Sequence, residues 1–316
     1  MSIKMVWVLA NNSGVERADL SAWCRLHLGS EISDVLFCTG HLSTVVGVEL
    51  TSARRVVLKL RPASPRLLGC AVVHRWAFEQ GFPCPEPLVD PAPLGNLVAS
   101  AEAMTSGGAV FPTSSRAPTP FAAALVRLVE LGPRATEVPS LDPPPAWTRP
   151  DFARSELWPT PDDRTVDLNA TEGPEWLDEA GRLARERLAA SSSALAVGHG
   201  DWYTANLRWK GDDLSTAWDW DSAIAAPEPV IAGLASAVYP VTEAGTEATV
   251  TESEAFLDAY QGARGRSFRV DELTEAWAAG LWVRAFDAKK QFVTEGVALS
   301  LSEAEGLQRG RRASGL

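Results

Sequence analysis

The chain has 316 residues, enough for one large domain or two lobes of ordinary size, and its 46% hydrophobic content describes a globular protein with a sizeable core. Its 40 Asp and Glu against 29 Lys and Arg leave a formal charge of −11, which argues against nucleic acid, a partner bound by clustered Lys and Arg. That acidity is compatible with a cationic substrate steered by the protein's field, but net charge speaks first of solubility.

Residues 5–10 form an apolar run too short for a signal-peptide core, and no run approaches the length that spans a bilayer. A cytoplasmic chain without membrane association is expected. The four cysteines, at 24, 38, 70 and 84, have neither C-x-x-C spacing nor the look of a disulfide scaffold, so reduced and mostly buried thiols are expected. Residues 17–29 mix Leu, Trp and charged residues at helical spacing. The texture then turns β-rich at 35–37, 44–50 and 55–60, with Gly40 and the 51–53 turn between the runs. A helix is expected over 66–79, ending before Gly81. Prolines force 82–87 extended, and 94–100 reads as a further strand.

Residues 105–120 are rich in Thr, Ser, Gly and Pro and read as a loop. An apolar helix follows over 121–131. Proline is too dense across 133–174 for continuous helix or sheet, so irregular structure with short helical turns is expected there. Residues 175–190 carry an apolar stripe of Trp176, Leu177, Leu183 and Leu188 on a polar helix. Helices over 252–261 and 271–298 close the chain. A β-rich first third thus precedes a helical remainder.

The chemistry concentrates in residues 197–223, VGHGDWYTANLRWKGDDLSTAWDWDSA. Asp201 and Asn206 stand five apart, and Gly200 permits the sharp turn that would aim both at one point. Residues 214–220 read as a hairpin strand after the Gly211-Asp212-Asp213 turn, with Asp219 at its end between Trp218 and Trp220. A carboxylate between two indoles is costly unless a cation or hydrogen-bond donors balance it. Phosphoryl transfer calls for such a set: one carboxylate for the proton of an attacking hydroxyl, and an amide oxygen plus a second carboxylate for a magnesium ion on the nucleotide phosphates. Asp221 shares a face with Asp219 if strand geometry persists, and is a surface carboxylate if the chain has turned.

HGDWYTAN paired with AWDWDSA resembles the aminoglycoside phosphotransferase and choline kinase-like group, which shares its catalytic architecture with protein kinases. The resemblance implies an α+β, protein kinase-like two-lobed fold. A small antiparallel β-rich lobe would span residues 1–101, and a larger, mostly helical lobe residues 102–316. It implies Asp201 as catalytic base, Asn206 and Asp219 as Mg2+ ligands, and His199 as the anchor of the loop. Lys59, in VVLKL, would contact the phosphates of ATP or GTP. Ser43 and Thr44, in the turn after Gly40-His41-Leu42, would cap a phosphate. Backbone groups around Glu102 to Met104 would read the base. The acceptor would be a hydroxyl on a small molecule, aminoglycoside-like or otherwise amino-bearing. Choline, homoserine or a sugar are alternatives, as is a nucleotide-binding protein without turnover. Trp202, beside the base, is a candidate wall of the acceptor pocket, as are Trp147 and Trp158.

Two departures from the group's pattern stand out. Cys70 falls where a glutamate on the helix after the lysine strand is expected, and Glu79 lies too far along that helix to replace it. Either the lysine is held differently here or the register of the comparison is displaced. An Asp-Leu-Ala expected near the start of a later helix reads Gly233-Leu234-Ala235, which removes an aspartate that would brace the catalytic loop.

Overall fold

The computed structural model describes residues 14–40, 42–112, 114–241, 247–298 and 300–316; the apolar run at 5–10 and His41 lie outside them. Helix α1, Arg17–Leu28, leads into strands β1, Ile32–Gly40, β2, Thr44–Leu50, and β3, Arg55–Arg61. Helix α2, Arg66–Glu79, separates these from β4, Pro87–Leu94, and β5, Leu97–Ala103. The five strands form one antiparallel sheet in the order β1-β2-β3-β5-β4. Strand β4 is a departure from the sequence reading, which has only one strand in this region. Its prolines, at 87, 91 and 93, are tolerated because β4 is an edge strand and spends few donors on the ladder.

Period-2 alternation gives the sheet two different faces. Val46, Val48, Leu50, Val56, Leu58, Leu60, Ala99 and Ala101 point one way and pack with Leu20, Trp23 and Cys24 of α1 into a compact core. Val45, Val57, Lys59 and Glu102 point the other way, into the cleft. Helix α2 is joined to the rest differently: Cys70, Val73 and Ala77 bury themselves in the larger core of the helical part.

That larger part begins with α3, Pro118–Leu131, and after the proline-rich stretch continues with α4, Glu175–Ala189. Two small hairpin-like sheets follow. Strand β6, Leu195–His199, pairs with β9, Ala223–Pro227, and strand β7, Leu207–Lys210, pairs with β8, Asp213–Ala217. The chain closes with α5, Glu228–Val238, α6, Val250–Arg264, α7, Val270–Glu295, and α8, Glu303–Ala313. Helix α7 is buried nearly all round from Ala276 to Phe286, as befits a central helix. It crosses α5 so closely that a Cβ at Gly233 would lie 2.0 Å from the Ala276 carbonyl oxygen. An aspartate has no room at 233 in this packing. Among the described residues no helix is long and apolar enough to cross a membrane.

Between the two cores lies an open cavity of about 1640 Å3. The β5 end, the segments around Asp201 and Asp219 and the proline-rich stretch all contribute to its walls.

Candidate active site

The two halves of the 197–223 motif meet through backbone bonds. Strand β6 delivers His199, and β9 pairs with it so that Gly200 N–H donates to the Ser222 carbonyl at 2.7 Å. A 3-10 turn over Thr204–Asn206 follows, and Trp218 N–H donates to the Asn206 carbonyl at 2.8 Å. These links carry Asp201, Asn206 and Asp219 to one wall of the cleft.

Asn206 Nδ2 donates to the Asp201 carbonyl at 2.9 Å and to Asp201 Oδ2 at 3.0 Å. Its amide oxygen is thereby turned away from Asp201. Asp201 N–H donates to His199 Nδ1 at 3.2 Å, which leaves the ring proton on Nε2, where it meets the Trp218 carbonyl at 3.0 Å. Burial keeps His199 below its ordinary pKa, so the ring is a neutral brace joining both halves. Burial, with the Asp219 charge added, pushes the Asp201 carboxyl up to about 7, against the Asn206 hydrogen bond.

Asp219 is not at the end of a strand, contrary to the sequence reading. Strand β8 stops at Ala217, and Asp219 adopts φ 60° and ψ 52°, in the left-handed region. Such backbone is costly for a residue with a Cβ and persists only where its surroundings enforce it. Ser222 Oγ donates to Asp219 Oδ2 at 3.0 Å, and Lys59 Nζ stands 3.5 Å from Oδ1. Burial alone would raise the Asp219 pKa, but Lys59 and the Ser222 bond outweigh it and hold the carboxylate ionised. The chain then turns through Trp220–Ser222. Asp221 nonetheless is no surface carboxylate: Arg61 NH2 reaches its Oδ1 at 2.9 Å. Lys59 and Arg61, alternate residues of β3, thus grip Asp219 and Asp221, alternate residues of the loop 160 positions on. Arg66, opening α2, adds bonds to the carbonyls of Asp221 and, at 2.6 Å, Ala223.

Other residues singled out from the sequence fall on both sides of the line. Ser43 and Met104 line the cleft. Thr44 does not: it is 6% exposed and follows the core-facing parity of Val46 and Val48. The register decides it: Thr44 pairs with core-facing Leu60, and Val45 with Lys59. The N–H groups of Ala103 and Met104 are taken by the carbonyls of Glu86 and Arg55 at 2.8 and 3.0 Å. They are therefore not donors for a base, and only carbonyls or residues from Thr105 onward remain for that. The Glu102 side chain turns inward, toward Lys59. Trp202 walls nothing: it is fully buried, its Nε1 donating to the Phe121 carbonyl at 3.0 Å, while Tyr203 faces the cleft. Trp147 and Trp158 do line the cavity.

Among the described residues, no cluster of three or more His, Cys, Asp and Glu is placed to hold a metal ion. The Asn206 amide oxygen and Asp219 nevertheless suit Mg2+, which takes one or two protein oxygens and completes its shell with water and substrate phosphates.

The model of the phosphotransferase enzyme family matches residues 37–277 of this chain. No curated protein matches it in sequence. Among solved structures, an amicoumacin kinase, hAmiN, in complex with AMP-PNP, Ca2+ and Ami, superposes with a TM-score of 0.59 at 14% identity, covering 89% of this chain and 86% of its own. The spectinomycin phosphotransferase APH(9)-Ia, in complex with ADP and spectinomycin, gives a TM-score of 0.59 at 12% identity, covering 95% and 94%. Macrolide 2'-phosphotransferase type I gives 0.51 at 16%, covering 92% and 95%. At such identities the likeness is one of fold: a two-lobed, protein kinase-like α+β architecture.

Proposed function

Because the chain belongs to the phosphotransferase enzyme family, we propose that it transfers the γ-phosphate of ATP, or GTP, to a hydroxyl of a small molecule. An amino-bearing, antibiotic-like alcohol is the substrate class to test first. Structural neighbours named for amicoumacin, spectinomycin and macrolides support that choice, as does the acidic balance of the chain. The observation that carries the reading is the Asn206–Asp201 hydrogen bond set beside the Lys59–Asp219 contact in one cleft.

The acceptor hydroxyl approaches Asp201, whose Oδ2 is fixed by Asn206. As its oxygen bonds to phosphorus, its proton passes to the Asp201 carboxylate and the bond to the departing nucleoside diphosphate breaks. Lys59 neutralises charge on the phosphates. The Asn206 amide oxygen and Asp219 would hold Mg2+, which would supply positive charge to offset the charge developing on the phosphates. Catalysis then rests on positioning and on preorganised charge. The acceptor lies between Asp201 and the cavity wall formed by Trp147, Phe152 and Trp158.

Mg-ATP should raise the melting temperature of the wild type, as a ligand of the folded state does. Asp201→Asn should keep that shift and lose roughly 10²- to 10⁴-fold in turnover, the range of general-base catalysis. Absence of any shift, or wild-type turnover by Asp201→Asn, ends this reading. Binding without turnover across a broad acceptor panel would instead describe a nucleotide-binding member of the family.

A further inference from the structure

The helix behind Lys59 carries its one glutamate, Glu79, at its far end. Cys70 of that helix is 1% exposed, with Sγ 3.5 Å from the Asp221 carbonyl, and burial pushes its thiol up to about 11, so it donates as a neutral group. We propose that Glu102, carried by β5, is the carboxylate that positions Lys59 for the nucleotide phosphates. The proposal rests on the phosphotransferase reading above.

Register supplies the first argument. Lys59 pairs with Ser100 and Val57 with Glu102 across β3 and β5. Lys59 and Glu102 are therefore diagonal neighbours on the cleft face, within reach of long side chains. Burial supplies the second. Lys59 and Glu102 are each 8% exposed, and no described residue donates a hydrogen bond to the Glu102 carboxylate. A buried carboxylate without donors needs a cation. Arg61, the other buried cation nearby, commits both terminal nitrogens to Asp221, Ser100 and the Lys59 carbonyl and keeps only Nε without a partner. Of the two cations, Lys59 acts on Glu102 the more strongly. A cavity of about 30 Å3, lined by Lys59, Cys70, His74, Ser100, Glu102 and Asp221, lies behind the ammonium. It has room for a water and so for a water-bridged contact.

Among the charges around Lys59, Glu102 acts on it most strongly, ahead of Asp219 and Asp221, although burial still holds the Glu102 carboxyl above its ordinary pKa against the pull of Lys59. Lys59 thus stands between two carboxylates. A lysine drawn only toward Asp219 would compete with the cation expected there, whereas Glu102 pulls it back. Since β3 and β5 are hydrogen-bonded neighbours, the spacing of the pair is set by the sheet and not by the position of α2. Helix α2 is held separately, through Arg66.

Glu102→Gln tests this directly. It should weaken Mg-ATP about tenfold, in dissociation constant and in KM, a change equal to about 1.4 kcal/mol. The acceptor KM should stay unchanged, a split that a general loss of structure does not produce. Glu102→Asp should restore part of the nucleotide affinity. In a Lys59→Met background, Glu102→Gln should have no further effect on nucleotide binding, because it acts through the lysine. Wild-type nucleotide affinity in Glu102→Gln, additive effects of the two substitutions, or equal rises in both KM values overturn the proposal. Should Glu102→Gln not fold, Glu102→Asp carries the same readout, a raised nucleotide KM beside an unchanged acceptor KM. A wild type that shows no Mg-ATP shift fails at the earlier step, as a phosphotransferase, and is told apart from these outcomes by that shift alone.

Discussion

At the scale of single residues, the site stores unfavourable terms that the rest of the molecule enforces. Asp219 sits in left-handed backbone, and Asp201 is half-buried with its carboxyl pushed up to about 7 from 3.8 by desolvation first and the Asp219 and Asp287 charges next. A carboxyl that holds its proton more tightly when folded makes the protein lose stability as pH rises from about 4 through about 7, and the loss levels off above. Asp201→Asn removes that charge. In metal-free buffer it should melt a few degrees above the wild type at pH 8, with the difference shrinking toward pH 4, as read by a thermal scan in EDTA. Activity moves the opposite way, so one substitution separates the group's structural cost from its chemical use.

At the scale of elements, the contacts between helices and hairpins decide which residues are permitted. Gly233→Ala would drive a Cβ to 2.0 Å from the Ala276 carbonyl oxygen, forcing α5 and α7 apart. Backbone cannot yield as a flexible side chain does, so a loss of roughly 2–3 kcal/mol is expected in urea unfolding. Arg66 does comparable work between α2 and the loop of Asp219 and Asp221, reaching the carbonyls of Leu141, Asp221 and Ala223. Arg66→Ala should cost roughly 2–4 kcal/mol and lower kcat more than it raises the acceptor KM, because the Asp219 turn loses its support while the acceptor wall stays. Urea denaturation with steady-state kinetics checks both.

At the scale of the whole molecule, the proline-rich stretch is an ordered wall. Asn169 accepts from the Trp158 N–H at 3.0 Å and donates to its carbonyl at 2.8 Å. The Trp158 ring stacks on Trp282 at 5.3 Å between centroids, and its Nε1 donates to Asp178 at 2.8 Å. Lys289, 1% exposed, reaches the same Asp178 and the Thr171 carbonyl. Lacking regular ladders, the stretch takes its stability from these few anchors, so Asn169→Ala should cost about 1–3 kcal/mol locally. The expected result is earlier proteolysis between 149 and 164 and a raised acceptor KM with an unchanged ATP KM, which limited digestion and kinetics would show. A rise in the ATP KM alone would place the acceptor elsewhere.

What the sequence determined by itself was which polar groups stand together within short spans. Asp201 and Asn206 share one loop, Lys59 shows in a strand of alternating apolar residues, and proline density alone foretells an irregular 133–174. Six helices and five strands followed from periodicity; α5, α8 and the short strands β6, β7 and β9 did not, and neither did β4, whose prolines hid an edge strand. Only the tertiary structure decided what distant segments do to one another. It turned Trp202 into the core, gave Asp221 to Arg61, excluded an aspartate at 233 by the passage of another backbone, and set Glu102 beside a lysine 43 positions away in the chain. Local spacing records which groups one turn or strand can present. The charge, burial and room each group meets depend on segments packed from far along the chain, and no local pattern carries those.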